Sequence, residues 1–106
     1  MILCQFIFKP GEYDDDFHTL DGQIDTYARS LPGFKGVEVW RSADETVVNA
    51  SYYFDEMSSV KALSRFPEHR KAKEQYQRWY DGYQIVVSEV TRSYGDGRLP
   101  HLTAVE

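Results

Sequence analysis

A chain of 106 residues has room for one domain and little room for a second. With 42% hydrophobic and 27% charged residues its composition is that of an ordinary globule, and no apolar run approaches the roughly 18 residues a membrane span needs. A net charge of −5, with basic residues interleaved among acids, argues against nucleic acid as a partner, because phosphate binding needs clustered Lys and Arg.

Met1-Ile2-Leu3-Cys4 runs into a strand pattern without a basic leader or a cleavage site, so a cytoplasmic protein is expected. One cysteine forms no internal disulfide, and His18, His69 and His101 share no metal-ligand spacing, so no metal is expected. Eight Tyr, six Phe and two Trp make the chain rich in residues that either fill a core or line a site for a flat ligand.

Residues 2 to 9 are rich in β-formers and stop at Pro10-Gly11, which predicts a strand closed by a turn. Ile2, Cys4, Phe6 and Phe8 lie on one face of it, and Leu3, Gln5 and Ile7 on the other. Asp14, Asp15 and Asp16 suit a helix N-terminus, and Phe17, Leu20, Ile24, Tyr27, Ala28 and Leu31 repeat at helical spacing up to the breaker pair Pro32-Gly33.

Residues 34 to 41 and 46 to 54 predict a β-hairpin joined by Ser42-Ala43-Asp44-Glu45. On its second strand Val48, Ala50, Tyr52 and Phe54 form an apolar face, with Asn49, Ser51 and Tyr53 opposite. Asp55 suits the cap of a short helix through Met57, Val60 and Leu63, which Phe66-Pro67 breaks.

The stretch from Phe66 to Tyr83 predicts a second helix of about four turns. Pro67 suits its first position and Gly82 its end, and Glu74 precedes Arg78 by the four residues of an exposed ion pair. His69, Ala72, Lys73, Tyr76 and Tyr80 fall on one face, with Trp79 on the flank. That spacing describes the core side of a helix as well as a site, and a partly buried structural histidine is the other reading of His69. A last strand from Tyr83 to Tyr94 is followed by a tail without periodicity.

The order βαββαβ is the ferredoxin-like pattern, an α+β fold with a four-stranded antiparallel sheet and helices on one face. Strands apolar on both faces would leave a bare patch on the side without helices, which predicts a homodimer. The domain is expected to span residues 1–95, with residues 96–106 an irregular tail or a segment packed on the partner subunit.

The sequence Tyr52-Tyr53-Phe54-Asp55, a short helix, Pro67-Glu68-His69-Arg70-Lys71-Ala72-Lys73, Trp79-Tyr80 and a strand with Glu89-Val90 ending at Tyr94-Gly95 resembles the antibiotic biosynthesis monooxygenase family of dimeric α+β barrels. The resemblance implies an oxidoreductase that uses no cofactor and oxidises an aromatic, phenol- or anthrone-like small molecule with O2. It implies His69 as the base, with Tyr76 and Asn49 as catalytic partners, and Tyr80, Trp40, Leu63, Cys4 and Phe6 around the substrate. A dimer of the same fold that binds or senses a small ligand without turnover is the alternative. Haem binding or degradation is a further one, although Cys4 and Leu63 stand where the haem-degrading relatives carry Asn and Trp.

Overall fold

The structure is a computed structural model and describes residues 1–103. Alternation of apolar residues puts Ile2–Pro10 in strand β1. Helix α1 (Asp15–Ser30) begins where the Asp14 carboxylate accepts the Phe17 N–H at 2.9 Å, a side-chain cap that satisfies one of the free donors of the first turn. Strands β2 (Phe34–Arg41) and β3 (Val48–Phe54) form the hairpin. Helices α2 (Met57–Arg65) and α3 (Pro67–Glu74) meet at Phe66, and strand β4 (Tyr80–Glu89) closes the sheet.

The sheet order is β2-β3-β1-β4, all pairs antiparallel, which is the expected ferredoxin-like arrangement. Register assigns the two faces: Cys4 lies opposite Tyr52 and Val87, and Phe6 opposite Ala50 and Ile85, so these residues share a face. That face carries the helices, because the core formed by Ala28, Phe54 and Leu63, with Tyr52 and Val60 packed on it, joins α1 and α2 to β3. Leu3, Gln5, Ile7, Trp40, Asn49, Ser51, Tyr53 and Val86 belong to the opposite, helix-free face.

Several local expectations are corrected. The predicted helix from Phe66 to Tyr83 ends at Glu74, continues as a single 3-10 turn over Tyr76–Arg78, and gives way to β4 at Tyr80. Trp79 decides this break: its ring is 1% exposed, its N–H donates to Asp14, and its carbonyl accepts the Gly11 N–H at 2.7 Å. Those tertiary contacts outweigh a helix propensity that is a weak preference per residue. A side chain at Gly11 would put its Cβ 2.8 Å from the Trp79 carbonyl oxygen, so glycine is required for the approach.

Arg78 therefore does not pair with Glu74; it reaches Asp14 at 2.8 Å and Asp16 at 3.2 Å. Gly82 does not end a helix but lies within β4, next to the irregularity that pairs Lys9 with Gly82 and Pro10 with Tyr80. The last strand runs over Tyr80–Glu89, not to Tyr94. Glu56 stands at the start of α2, its carboxylate accepting the Ser58 hydroxyl at 3.2 Å but no backbone N–H of the first turn, while Asp55 pairs with Lys35 at 3.5 Å.

Beyond β4, residues 91–103 contain no helix or strand. They cross to the far edge of the sheet, where His101 Nε2 lies 3.1 Å from Glu38 Oε1, Leu102 packs on Gly36 and Thr103 is buried. This part of the expected tail rests on the chain's own β2; residues 104–106 lie outside the described residues.

Candidate active site

β1 is a central strand, yet Cys4 and Phe6 are only partly buried on its helix side, and neighbouring Tyr83, Ile85 and Val87 of β4 are 41%, 39% and 43% exposed. The helices thus cover the β3 half of this face and leave the β1–β4 half as a cleft. α3 follows α1 rather than the sheet, held by Phe66 stacked on Tyr27 with centroids 4.0 Å apart and planes 1° from parallel.

Aromatic rings line one end of the cleft. Tyr80 meets Phe6 edge-on at 5.3 Å, Phe8 at 5.0 Å, Tyr13 at 5.9 Å and Phe17 at 5.9 Å. Tyr76, on its 3-10 turn, meets Tyr83 at 4.9 Å. Tyr76 and Tyr80 consequently do not share a helix face with His69, but Tyr80, from β4, meets Phe6, another of the residues expected around the substrate.

Several titratable groups of this face and of α3 are pushed towards their neutral forms. Burial raises the Cys4 thiol and raises Tyr52 to about 12, the latter helped by the negative charges of Asp25 and Asp21. Burial, then Tyr13 and Asp21, raise Tyr80 as well. On α3 burial lowers the His69 imidazole, with Lys73 adding a smaller effect of the same sign. The Nδ1 of His69 is shielded from solvent and has no hydrogen-bond partner among the described residues. A neutral imidazole with an open lone pair or an open N–H is a proton acceptor or donor in waiting, whereas the phenols serve as donors.

Three expected site residues stand elsewhere. Leu63 is a core side chain, 9% exposed and packed with Ala28 and Phe54, so it does not line the cleft. Asn49 and Trp40 are directly opposite each other on the helix-free face, Asn49 accepting the Ser51 hydroxyl at 3.0 Å and Trp40 being 64% exposed. Within one subunit the sheet separates both from His69.

A groove of about 620 Å³ between α1 and α3, lined by Thr19, Gln23, Thr26, Tyr27 and Phe66, is open to solvent. It contains none of His69, Tyr80 or Cys4. Among the described residues no group of three or more His, Cys, Asp or Glu could hold a metal ion, and no helix is long and apolar enough to cross a membrane.

The uncharacterized protein YqjZ of Bacillus subtilis is 33% identical to the chain over 83 residues, covering 77% of this chain and 72% of that protein. No protein-family model matches the chain. Among solved structures, a candidate antibiotic biosynthesis monooxygenase from Deinococcus radiodurans superposes with a TM-score of 0.69 at 12% identity, covering 90% of this chain and 97% of that one. SnoaB, a cofactor-independent oxygenase from Streptomyces nogalater, superposes with a TM-score of 0.66 at 9% identity over 87% of this chain and 94% of its own. Rv0793 from Mycobacterium tuberculosis gives 0.64 at 13% identity, over 89% and 98%. At these identities the structures establish a shared fold.

Proposed function

Because the chain belongs to the family of YqjZ and has the antibiotic biosynthesis monooxygenase fold, we propose that it oxygenates an aromatic, phenol- or anthrone-like small molecule with O2, without a bound cofactor. What supports this reading is the aromatic cluster on the open half of the sheet and, on α3, a shielded His69 whose Nδ1 is unsatisfied. Phe6, Phe8 and Tyr80 offer ring faces and edges to a flat substrate. His69 takes the acidic proton, from a phenolic O–H or from a methylene beside an aryl ketone. The resulting anion gives its electrons to O2 and forms the new C–O bond. For an anthrone-type methylene, CH2 and O2 become C=O and H2O, so the substrate supplies all the electrons that the second oxygen atom consumes.

Tyr80 and Tyr76 stabilise the substrate oxyanion as O–H donors, and Cys4 and Phe6 form part of the wall. Asn49 and Trp40 join the site only if a second subunit contributes them, which fits the homodimer that belongs to this reading. A lone free cysteine fits a cytoplasmic location. Oxygen uptake by metal-free protein with anthrone is expected, together with a loss of about a hundredfold or more in His69→Ala. Tight anthrone binding without oxygen uptake would instead make the protein a ligand-binding dimer of the same fold, and unchanged turnover in His69→Ala would remove His69 from the chemistry.

A further inference from the structure

A series of polar side chains joins the returning tail to the helix-free face of the sheet. Glu38 of β2 lies opposite Ser51, on the same face as Tyr53. Its Oε1 accepts the Tyr53 hydroxyl at 2.7 Å, and the Nε2 of His101 lies 3.1 Å from each carboxylate oxygen. On the other side of the imidazole, Nδ1 is 2.8 Å from Thr103 Oγ1, which is hydrogen-bonded in turn to Ser93 Oγ. Leu102, packed on Gly36, anchors the segment between His101 and Thr103.

The backbone fixes the direction of the protons along this series. The Thr103 N–H can only donate, and it points at His101 Nδ1 from 3.1 Å. Nδ1 therefore carries a lone pair, and the ring proton sits on Nε2, facing Glu38. Thr103 Oγ1 donates to Nδ1 and accepts from Ser93. Burial works against the Glu38 charge, but the bonds from Tyr53 and His101 outweigh it and hold the carboxyl below its ordinary range. Glu38 is thus ionised at neutral pH and placed to stabilise an imidazolium. Thr103 is 4% exposed, whereas Ser93 is open to solvent, so Ser93 is the end of the relay that a ligand meets.

A hydroxyl, a base that takes its proton and a carboxylate that orients the base are the parts of an activated nucleophile, recognised by geometry and not by order along the chain. We propose that Ser93 is the nucleophile of an acyl-transfer site that takes small carboxylic esters with a good leaving group. Ser93 Oγ adds to the acyl carbonyl as its proton passes to Thr103 Oγ1 and the Thr103 proton passes to His101 Nδ1. The bond to the leaving oxygen then breaks, that oxygen takes the proton from His101, and Ser93 is left acylated. Water attacks through the same relay, releases the carboxylic acid and restores the hydroxyl. The site stands on the opposite face of the sheet from Phe6 and Tyr80 and does not depend on oxygenation.

The test uses p-nitrophenyl acetate with the full chain at neutral pH, following nitrophenol release and locating the acetyl group by peptide mapping. A stoichiometric burst is expected, with the acetyl group on Ser93 and none of it formed in Ser93→Ala. Thr103→Val keeps the side-chain volume and removes the relay hydroxyl, so it should slow acylation by about a hundredfold, and Thr103→Ser should restore it. Glu38→Gln, which still accepts from Tyr53 and His101 but lacks the charge, should slow acylation as well. Acetylation confined to other residues, or equal rates in the wild type and Thr103→Val, overturns the proposal. Amide exchange at residues 98–103 separates chemistry from docking: acylation lost only in those variants whose tail exchanges faster overturns it too, because the network then does no more than seat the tail on β2.

Discussion

The indole N–H of Trp79 donates to the carboxylate of Asp14 at 3.0 Å, and this one contact ties the segment entering β4 to the first turn of α1. The same carboxylate caps the Phe17 N–H and accepts Arg78. Asp14→Ala removes all three bonds and leaves the N–H of a ring that is 1% exposed without a partner, an omission that costs about 1–3 kcal/mol for a buried donor. Thermal unfolding should show a clear loss in Asp14→Ala and almost none in Asp15→Ala. Equal effects of the two would mean that the contact does not anchor Trp79.

Leu63 is expected to behave as a core residue. Leu63→Ala should destabilise the fold by about 2–4 kcal/mol, through lost transfer energy and a cavity beside Phe54. Denaturant titration measures this. In the protein that remains folded, anthrone affinity should stay within about twofold, since the side chain lies outside the cleft.

His69 gives stability a pH dependence of defined sign. Its folded-state imidazole binds a proton less readily than the ordinary value of 6.5, so the unfolded chain takes up the proton first as pH falls. Stability is full above that value, declines as pH drops through it, and reaches a floor once the lowered folded value is passed. Asp21, whose carboxyl is raised, acts with the opposite sign at more acidic pH. Between about pH 7.5 and 5, His69→Gln should flatten the decline seen in the wild type. A steeper decline in the variant would contradict the neutral, shielded imidazole.

Leu102 occupies the space that a side chain at Gly36 would need, 2.8 Å from the Cβ position to Leu102 Cδ2, and Gly36 has a φ of +143°. Gly36→Ala should cost about 1–3 kcal/mol through crowding and backbone strain. It should also speed amide exchange at residues 98–103 more than elsewhere, because the tail must lift off β2. Tyr53→Phe, which deletes the 2.7 Å bond to Glu38 without crowding, should loosen the same segment less.

The helix-free face predicts association. Trp40 and Val86 are 64% and 38% exposed there, while Tyr53 and Ser51 on the same face are buried near the returning tail. A homodimer at micromolar concentration in sedimentation is expected, and Trp40→Glu should shift it to monomer by placing a charge in an apolar contact. A wild-type monomer at that concentration would remove the second subunit, and with it Asn49 and Trp40, from the proposed site.

Sequence spacing alone determined the strand and helix order, the grouping of Cys4 with Phe6 on one face of β1 and of Tyr52 with Phe54 on one face of β3, and the breaks at Pro10-Gly11, Pro32-Gly33 and Pro67, whereas the register decided that the two faces coincide. These are properties of two or four neighbouring residues, fixed by side-chain alternation and by the geometry of proline and glycine. Tertiary structure decided what followed Glu74: helical spacing extends through Tyr80, but burying Trp79 against Asp14 and Gly11 ends the helix and starts β4 early. It also decided the site. Asn49 and His69 are both chemically apt, and the register puts Asn49 on the sheet face away from the helices that carry His69. Local order is encoded by neighbours along the chain; the environment of a titratable group is set by residues dozens of positions away.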